Sequence, residues 1–136
     1  MRNVRFAVLL TCAGFALVLG SCASTPRAFP PVRGIRTLAD QVVTVGPGGG
    51  YGTVTFEAET GQKILITMMS DLFLLEPYGY LGPTGGEGIY TPENGTSVDG
   101  LNSSDVTISQ GGSYTLTVFD GSNQGGSVHV RIELLE

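Results

Sequence analysis

The chain has 136 residues, with 7 basic and 12 acidic side chains, 21 glycines, two cysteines and no tryptophan. That length holds one domain and excludes an enzyme built from separate binding and catalytic halves. The acidic balance excludes nucleic-acid binding through phosphates, which needs a basic stripe, and a polybasic grip on anionic lipid.

Mean hydropathy is +0.20, much of it from one N-terminal run. Arg2 and Arg5 precede an apolar stretch over residues 7–19, broken only by Thr11, Cys12 and Gly14. A short charged segment followed by an apolar run of this length describes a secretory signal, since a bilayer span needs ~20 apolar residues. The stretch ends in Leu19-Gly20-Ser21-Cys22, which resembles the lipobox of bacterial lipoproteins. Small residues before the cysteine let a signal peptidase take the extended backbone. The resemblance implies cleavage after Ser21, acylation of Cys22 by palmitate-like chains, and attachment to the bacterial cell envelope. Ala23, where an aspartate would retain the protein at the inner membrane, implies the outer membrane. Cys12 leaves with the signal, so Cys22 has no disulfide partner. Two or three acyl chains at ~0.8 kcal/mol per buried methylene hold a protein in the bilayer effectively permanently. Loss of residues 1–21 leaves five basic against twelve acidic groups, a net charge near −7.

Residues 23–33 hold three prolines and show no periodicity. They read as an extended tether that would hold the domain roughly 30 Å off the membrane at ~3.1 Å per residue. The expected organisation is a signal peptide at 1–21, a lipidated cysteine and tether at 22–36, and a domain at 37–136.

From Thr37 onward no segment repeats its apolar residues every 3.6 positions. Short β-branched runs are instead separated by Gly, Pro, Asn and Asp, which predicts an all-β, two-sheet antiparallel sandwich, jelly-roll-like, of about seven to nine short strands. Residues 42–45 form the first. In 53–59, Val54, Phe56 and Ala58 alternate against Thr53, Thr55 and Glu57. Gly61-Gln62 turns the chain into 63–69, with Ile64, Ile66 and Met68 inward. The continuous apolar run at 72–76 suggests a strand covered on both faces. Short strands are expected at 88–91, 96–98 and 106–109. In 113–120, Tyr114, Leu116 and Val118 oppose Thr115, Thr117 and Phe119. Residues 127–134 close the domain, with Val128, Val130, Ile132 and Leu134 facing inward.

Three stretches carry a resemblance to the bacterial pre-peptidase C-terminal domain, a β-sandwich found as a non-catalytic module of secreted proteins. They are Phe56-Glu57-Ala58 leading to Gly61-Gln62 and an apolar strand, Ser70-Asp71 leading to Pro77-Tyr78-Gly79, and Gly111-Gly112-Ser113-Tyr114-Thr115-Leu116-Thr117-Val118. The match in strand order covers most of 38–134. These are turn and core residues, so the resemblance implies a fold more than a function. The family is usually appended to a protease or other hydrolase, and this chain carries no such partner.

Residues able to do chemistry are sparse. His129, the sole histidine, alternates with Val128 and Val130 and reads as a solvent-facing strand residue. The Gly-x-Ser-x-Gly turn of a serine hydrolase is absent. No spacing suggests zinc. Residues 46–52, rich in glycine, lead to a strand and lack Gly-Lys-Ser/Thr, so they read as a turn rather than a phosphate loop. Asp99, Asn102 and Asp105 offer oxygen ligands of the kind calcium takes, although their spacing is not that of an EF-hand. Asn94-Gly95 reads as a type I′ hairpin turn. Tyr78 and Tyr80, in an apparent Gly/Pro loop over residues 77–83, are the candidate ligand-binding pair, because rigid rings with hydroxyls suit sugar or peptide.

These readings converge on a lipid-anchored, non-catalytic sandwich on the periplasmic side or surface of the envelope. It needs no cofactor, and its expected partner is an envelope protein or glycan. The alternative is a small envelope hydrolase, pairing Asp71 with Glu76 or Asp99 with Asp105, or an inhibitor of a protease or other hydrolase.

Overall fold

The computed structural model describes residues 27–71, 75–91 and 96–136. Among these, nine strands form two antiparallel sheets: β1 (Arg36–Val45), β2 (Tyr51–Ala58), β3 (Lys63–Ser70), β4 (Pro77–Pro83), β5 (Ile89–Thr91), β6 (Thr96–Val98), β7 (Leu101–Thr107), β8 (Gly112–Asp120) and β9 (Gly126–Leu134). One sheet runs β1-β9-β3-β7-β6 and the other β2-β8-β4-β5. The expected all-β sandwich is therefore present.

The core follows from period-two alternation, which sends every second side chain inward. Val43, Ile64, Ile66, Met68, Val128, Val130 and Ile132 from the five-stranded sheet meet Val54, Phe56, Leu81, Tyr114, Leu116 and Val118 from the other. Phe56 stacks on Tyr114 with centroids 6.0 Å apart. The Tyr114 hydroxyl donates to the Gln110 carbonyl at 2.5 Å, so the ring is buried without an unpaired polar end. At the β2–β3 crossing the Gln62 side chain accepts from the Glu59 amide at 2.9 Å, which closes the Gly-Gln turn. At the opposite end, Asp120 organises the β8–β9 crossing. Its carboxylate accepts from the backbone of Glu76, Ser122, Gln124 and Gly125 and from the Ser122 hydroxyl.

Several expectations change. Residues 72–74, in the run read as a doubly covered strand, lie outside the described residues, and Leu75 and Glu76 are not in a strand. The apparent loop at 77–83 is instead strand β4. Its prolines occupy the first and last positions, where a missing ladder donor is tolerated. The expected strand at 106–109 begins earlier, at Leu101, because Asn102, Ser104 and Val106 share the inward face and Ser104 Oγ bonds Asn102 Oδ1 at 3.3 Å. Asn94-Gly95 lies outside the described residues. The strands on either side, β5 and β6, belong to different sheets and are not two arms of a hairpin.

The largest difference is at the N-terminal side. Residues 27–35, expected as free tether, lie as a strap across the outer face of the five-stranded sheet, and packing begins well before the expected boundary at Thr37. Phe29 packs on His129 with centroids 4.0 Å apart, and the Arg131 guanidinium sits 4.4 Å from its ring centre. Arg131 also donates to the Pro30 carbonyl at 2.8 Å. The amides of Arg33 and Gly34 donate to Glu133 Oε1 at 2.7 and 2.9 Å. Gly34 is required here, because a Cβ would lie 2.6 Å from the Leu134 carbonyl oxygen. A cavity of about 140 Å³ remains between strap and sheet, lined by Pro30, Pro31, Leu65 and Thr67 among others. Strand β3 is thus the one buried on both faces: Ile64, Ile66 and Met68 in the core, Leu65, Thr67 and Met69 on the strapped side.

Candidate functional site

The outer face of the four-stranded sheet has no such cover among the described residues. Pairing register places Tyr51, Phe119 and Tyr78 in one row across β2, β8 and β4, and Thr53, Thr117 and Tyr80 in the next. The rings form one cluster. Phe119 is 5.9 Å from Tyr51, 5.4 Å from Tyr78 in a near-parallel stack, and 5.8 Å edge-on from Tyr80. Tyr80 is 43% exposed and Tyr51 62% exposed. At its other side Tyr80 borders a depression of about 180 Å³, shared with Thr115, Thr117, Pro83 and the glycines at 82, 85, 86 and 88. Glycine at 82 is a close-approach requirement, since a Cβ would meet the Glu87 carbonyl oxygen at 2.5 Å. The result is a ring wall, a backbone floor and a hydroxyl rim, with no charged side chain lining it.

Tyr78 and Tyr80, singled out from the sequence, are therefore brought together with centroids 6.2 Å apart. They stand on a strand rather than a loop, which holds them more rigidly. Sequence reasoning missed their partners Tyr51 and Phe119. The signal was present, because Phe119 falls on the otherwise hydroxylated face of its strand.

The calcium candidates do not converge. Asp99 sits in the β6–β7 turn with φ of 47°. Asn102 is buried in the sandwich interior, and Asp105 on the opposite face of β7 pairs with Lys63 at 3.1 Å. Among the described residues no group of three His, Cys, Asp or Glu side chains could hold a metal ion. Cys22 lies outside the described residues.

His129 does face outward, but Phe29 partly covers it and Asp40 bonds its Nε2 at 2.5 Å. The hydrogen bond from His129, with Arg131 adding a bond and a positive charge, outweighs partial burial and holds the Asp40 carboxyl below the usual range. For Asp120, burial opposes ionisation, yet the bonds from Ser122, Gly125 and Glu76 prevail and lower it too. Both carboxylates are locked charged near neutrality, the opposite of what a general acid requires. Asp99 lies in the turn before β7, and the strand alone carries Asp105 four residues past Leu101, roughly 13 Å, wider than the carboxyl separation of a paired-carboxylate glycosidase.

No family model matches the sequence, and no curated protein matches it significantly. Solved structures do. The pre-peptidase C-terminal domain of a collagenase from Bacillus anthracis is similar with a TM-score of 0.56 and 15% identity, over 79% of this chain and 100% of that one. The likeness shows the fold: this is a pre-peptidase C-terminal-like β-sandwich.

Proposed function

We propose that the protein is an envelope lipoprotein, acylated at Cys22 and carried to the outer membrane, whose sandwich is a non-catalytic binding module. The surface that binds is the outer face of the four-stranded sheet, and its ligand is a neutral glycan chain of the envelope. One observation carries this reading: Tyr80 walls an uncharged depression floored by glycine backbone and rimmed by Thr115 and Thr117. A pyranose ring presents an apolar face to an aromatic ring and hydroxyls to threonine and backbone, so both halves of the site have a use. The net negative charge opposes polyanionic ligands. The bacterial setting rests on the lipobox, and the solved domain of similar fold likewise belongs to a bacterial protein, a collagenase.

The test is a glycan array and pull-down from native envelope, run with the acylated protein and with the Tyr78→Ala, Tyr80→Ala double variant. Capture of neutral glycan that the double variant loses supports the reading. Capture only of a protein, unaffected by glycosidase treatment, replaces glycan by protein as the partner. Turnover of an envelope substrate abolished by a carboxylate or His129 change would overturn the non-catalytic reading.

A further inference from the structure

We infer that the strapped face of the sandwich lies against the bilayer that carries the lipid anchor. This inference rests on the acylation of Cys22 proposed above and adds an orientation to it. Three independent features sit on that face. The first is reach. Only five peptide steps separate Cys22 from Arg27, which already belongs to the strap, a span of at most roughly 17 Å. A free tether would have given the domain a much longer leash; the docked strap removes most of it. The second is apolar exposure. Val32 and Ile35, in or at the end of the strap, are 56% and 75% exposed, and Val42, on the outward side of edge strand β1, is 62% exposed. The third is charge. Of five basic residues after Cys22, Arg27 and Arg33 lie in the strap and Arg36 where it turns into β1. The acids on this face are engaged: Asp40 by His129 and Arg131, Asp105 on β7 by Lys63, and Glu133, buried, by the strap amides. The acidic balance of the whole chain therefore conceals a segregation. Its remaining carboxylates lie beyond β1 in sequence, and the segment nearest the anchor is basic and apolar. Valine, isoleucine and arginine on one surface, a short step from acyl chains, match the interface between headgroup phosphates and hydrocarbon.

The experiment uses full-length acylated protein in vesicles of phosphatidylethanolamine and phosphatidylglycerol. Acylation consumes the thiol of Cys22, so an introduced cysteine is the sole free thiol of the mature chain. Thr44→Cys, exposed on β1 on the strapped side, and Thr55→Cys, exposed on β2 on the opposite side, each take an environment-sensitive fluorophore. A spin label on the lipid headgroup should quench the label at 44 several-fold more than the label at 55. The exposed-surface variant Arg33→Glu, Ile35→Ser should abolish that difference without unfolding the domain. Equal quenching at both positions, or stronger quenching at 55, in protein whose mass shows an acylated Cys22 would overturn the orientation. A mass showing unmodified Cys22 would overturn the anchor instead.

Discussion

Replacing Glu133 by alanine should destabilise the protein only while the strap is present. The Glu133 side chain faces away from the core, yet the residue is 1% exposed, because the strap lies over it. One of its carboxylate oxygens accepts two backbone amides, from Arg33 and Gly34. Hydrogen bonds to a charged acceptor contribute about 1.5–3 kcal/mol each. Truncation leaves both amides without a partner, but the strap can then lift and return them to water, so the loss stops at the free energy of docking. An expected cost is about 2–3 kcal/mol for Glu133→Ala in a chain beginning at Arg27. In a chain beginning at Arg36 the two amides are gone, and the same change should cost less than about 0.5 kcal/mol, as surface substitutions usually do. Urea unfolding at pH 7 measures all four corners of this cycle. With a slope of ~1–3 kcal/mol per molar urea, the larger effect moves the midpoint by about 1 M or more. Equal costs in the two chains would refute the docked strap.

Phe56→Ala removes a ring from between the sheets and should cost ~3–5 kcal/mol, read by the same denaturation with circular dichroism as the signal. A loss under about 1 kcal/mol would place the core elsewhere. Asp40 and Asp120 have folded-state values lowered from 3.8. Their contribution is fully present above that value and is lost as pH falls through the lower folded values, so stability should decline below about pH 4. Asp120→Asn should flatten that decline while lowering stability at pH 7, and an unchanged acid profile would contradict the assignment. Tyr78→Ala with Tyr80→Ala should weaken glycan capture by roughly thirty- to a thousand-fold, or about 2–4 kcal/mol, with the fold intact. Intact capture in a folded double variant would exclude this face.

Alternation made the core legible before any coordinates. Phe56, Ile66, Leu116 and Val130 all stand where period two puts them. It failed where side chains are not the determinant. Strand β4 reads as a loop because Pro77, Gly79, Gly82 and Pro83 suppress the local signal, and only pairing with β8 and β5 makes it a strand. The strap reads as a tether for the same reason, since Pro30 and Pro31 carry no periodicity. A trace of it was nevertheless present in β3, where Leu65 and Met69 occupy the face that ought to be polar. Apolar residues on the wrong side of a strand announce a cover, and here the cover is the chain's own N-terminal side. The paired tyrosines were legible as residue types, but the row that joins them to Tyr51 depends on β2 and β4 flanking β8, a tertiary fact that no local pattern encodes.

A two-sheet sandwich has two outer faces, and this chain treats them oppositely. On the five-stranded sheet Leu65, Thr67 and Met69 are buried on the strapped side, with Pro30 and Pro31 facing Leu65 and Thr67 across a small cavity. On the four-stranded sheet Tyr51 and Tyr80 remain exposed beside a depression that the strap does not reach. Burying a large aromatic side chain is worth on the order of 1.5–3 kcal/mol, so a chain long enough to strap one face leaves the other bare at a real cost in stability. Threonine at these positions, as at the neighbouring Thr53, Thr55, Thr115 and Thr117, would also suit a strand and would leave no apolar patch, so the exposed rings add an aromatic face that strand formation does not require. In the proposed orientation, with the strapped face turned to the bilayer, the aromatic face would point away from it, toward the polymers of the envelope. The same asymmetry sets the order of experiments: a strap variant that loosens orientation should leave glycan affinity in solution unchanged, whereas the tyrosine variant should abolish capture from either orientation. Reduced affinity in solution for the strap variant would mean that the two faces communicate through the core.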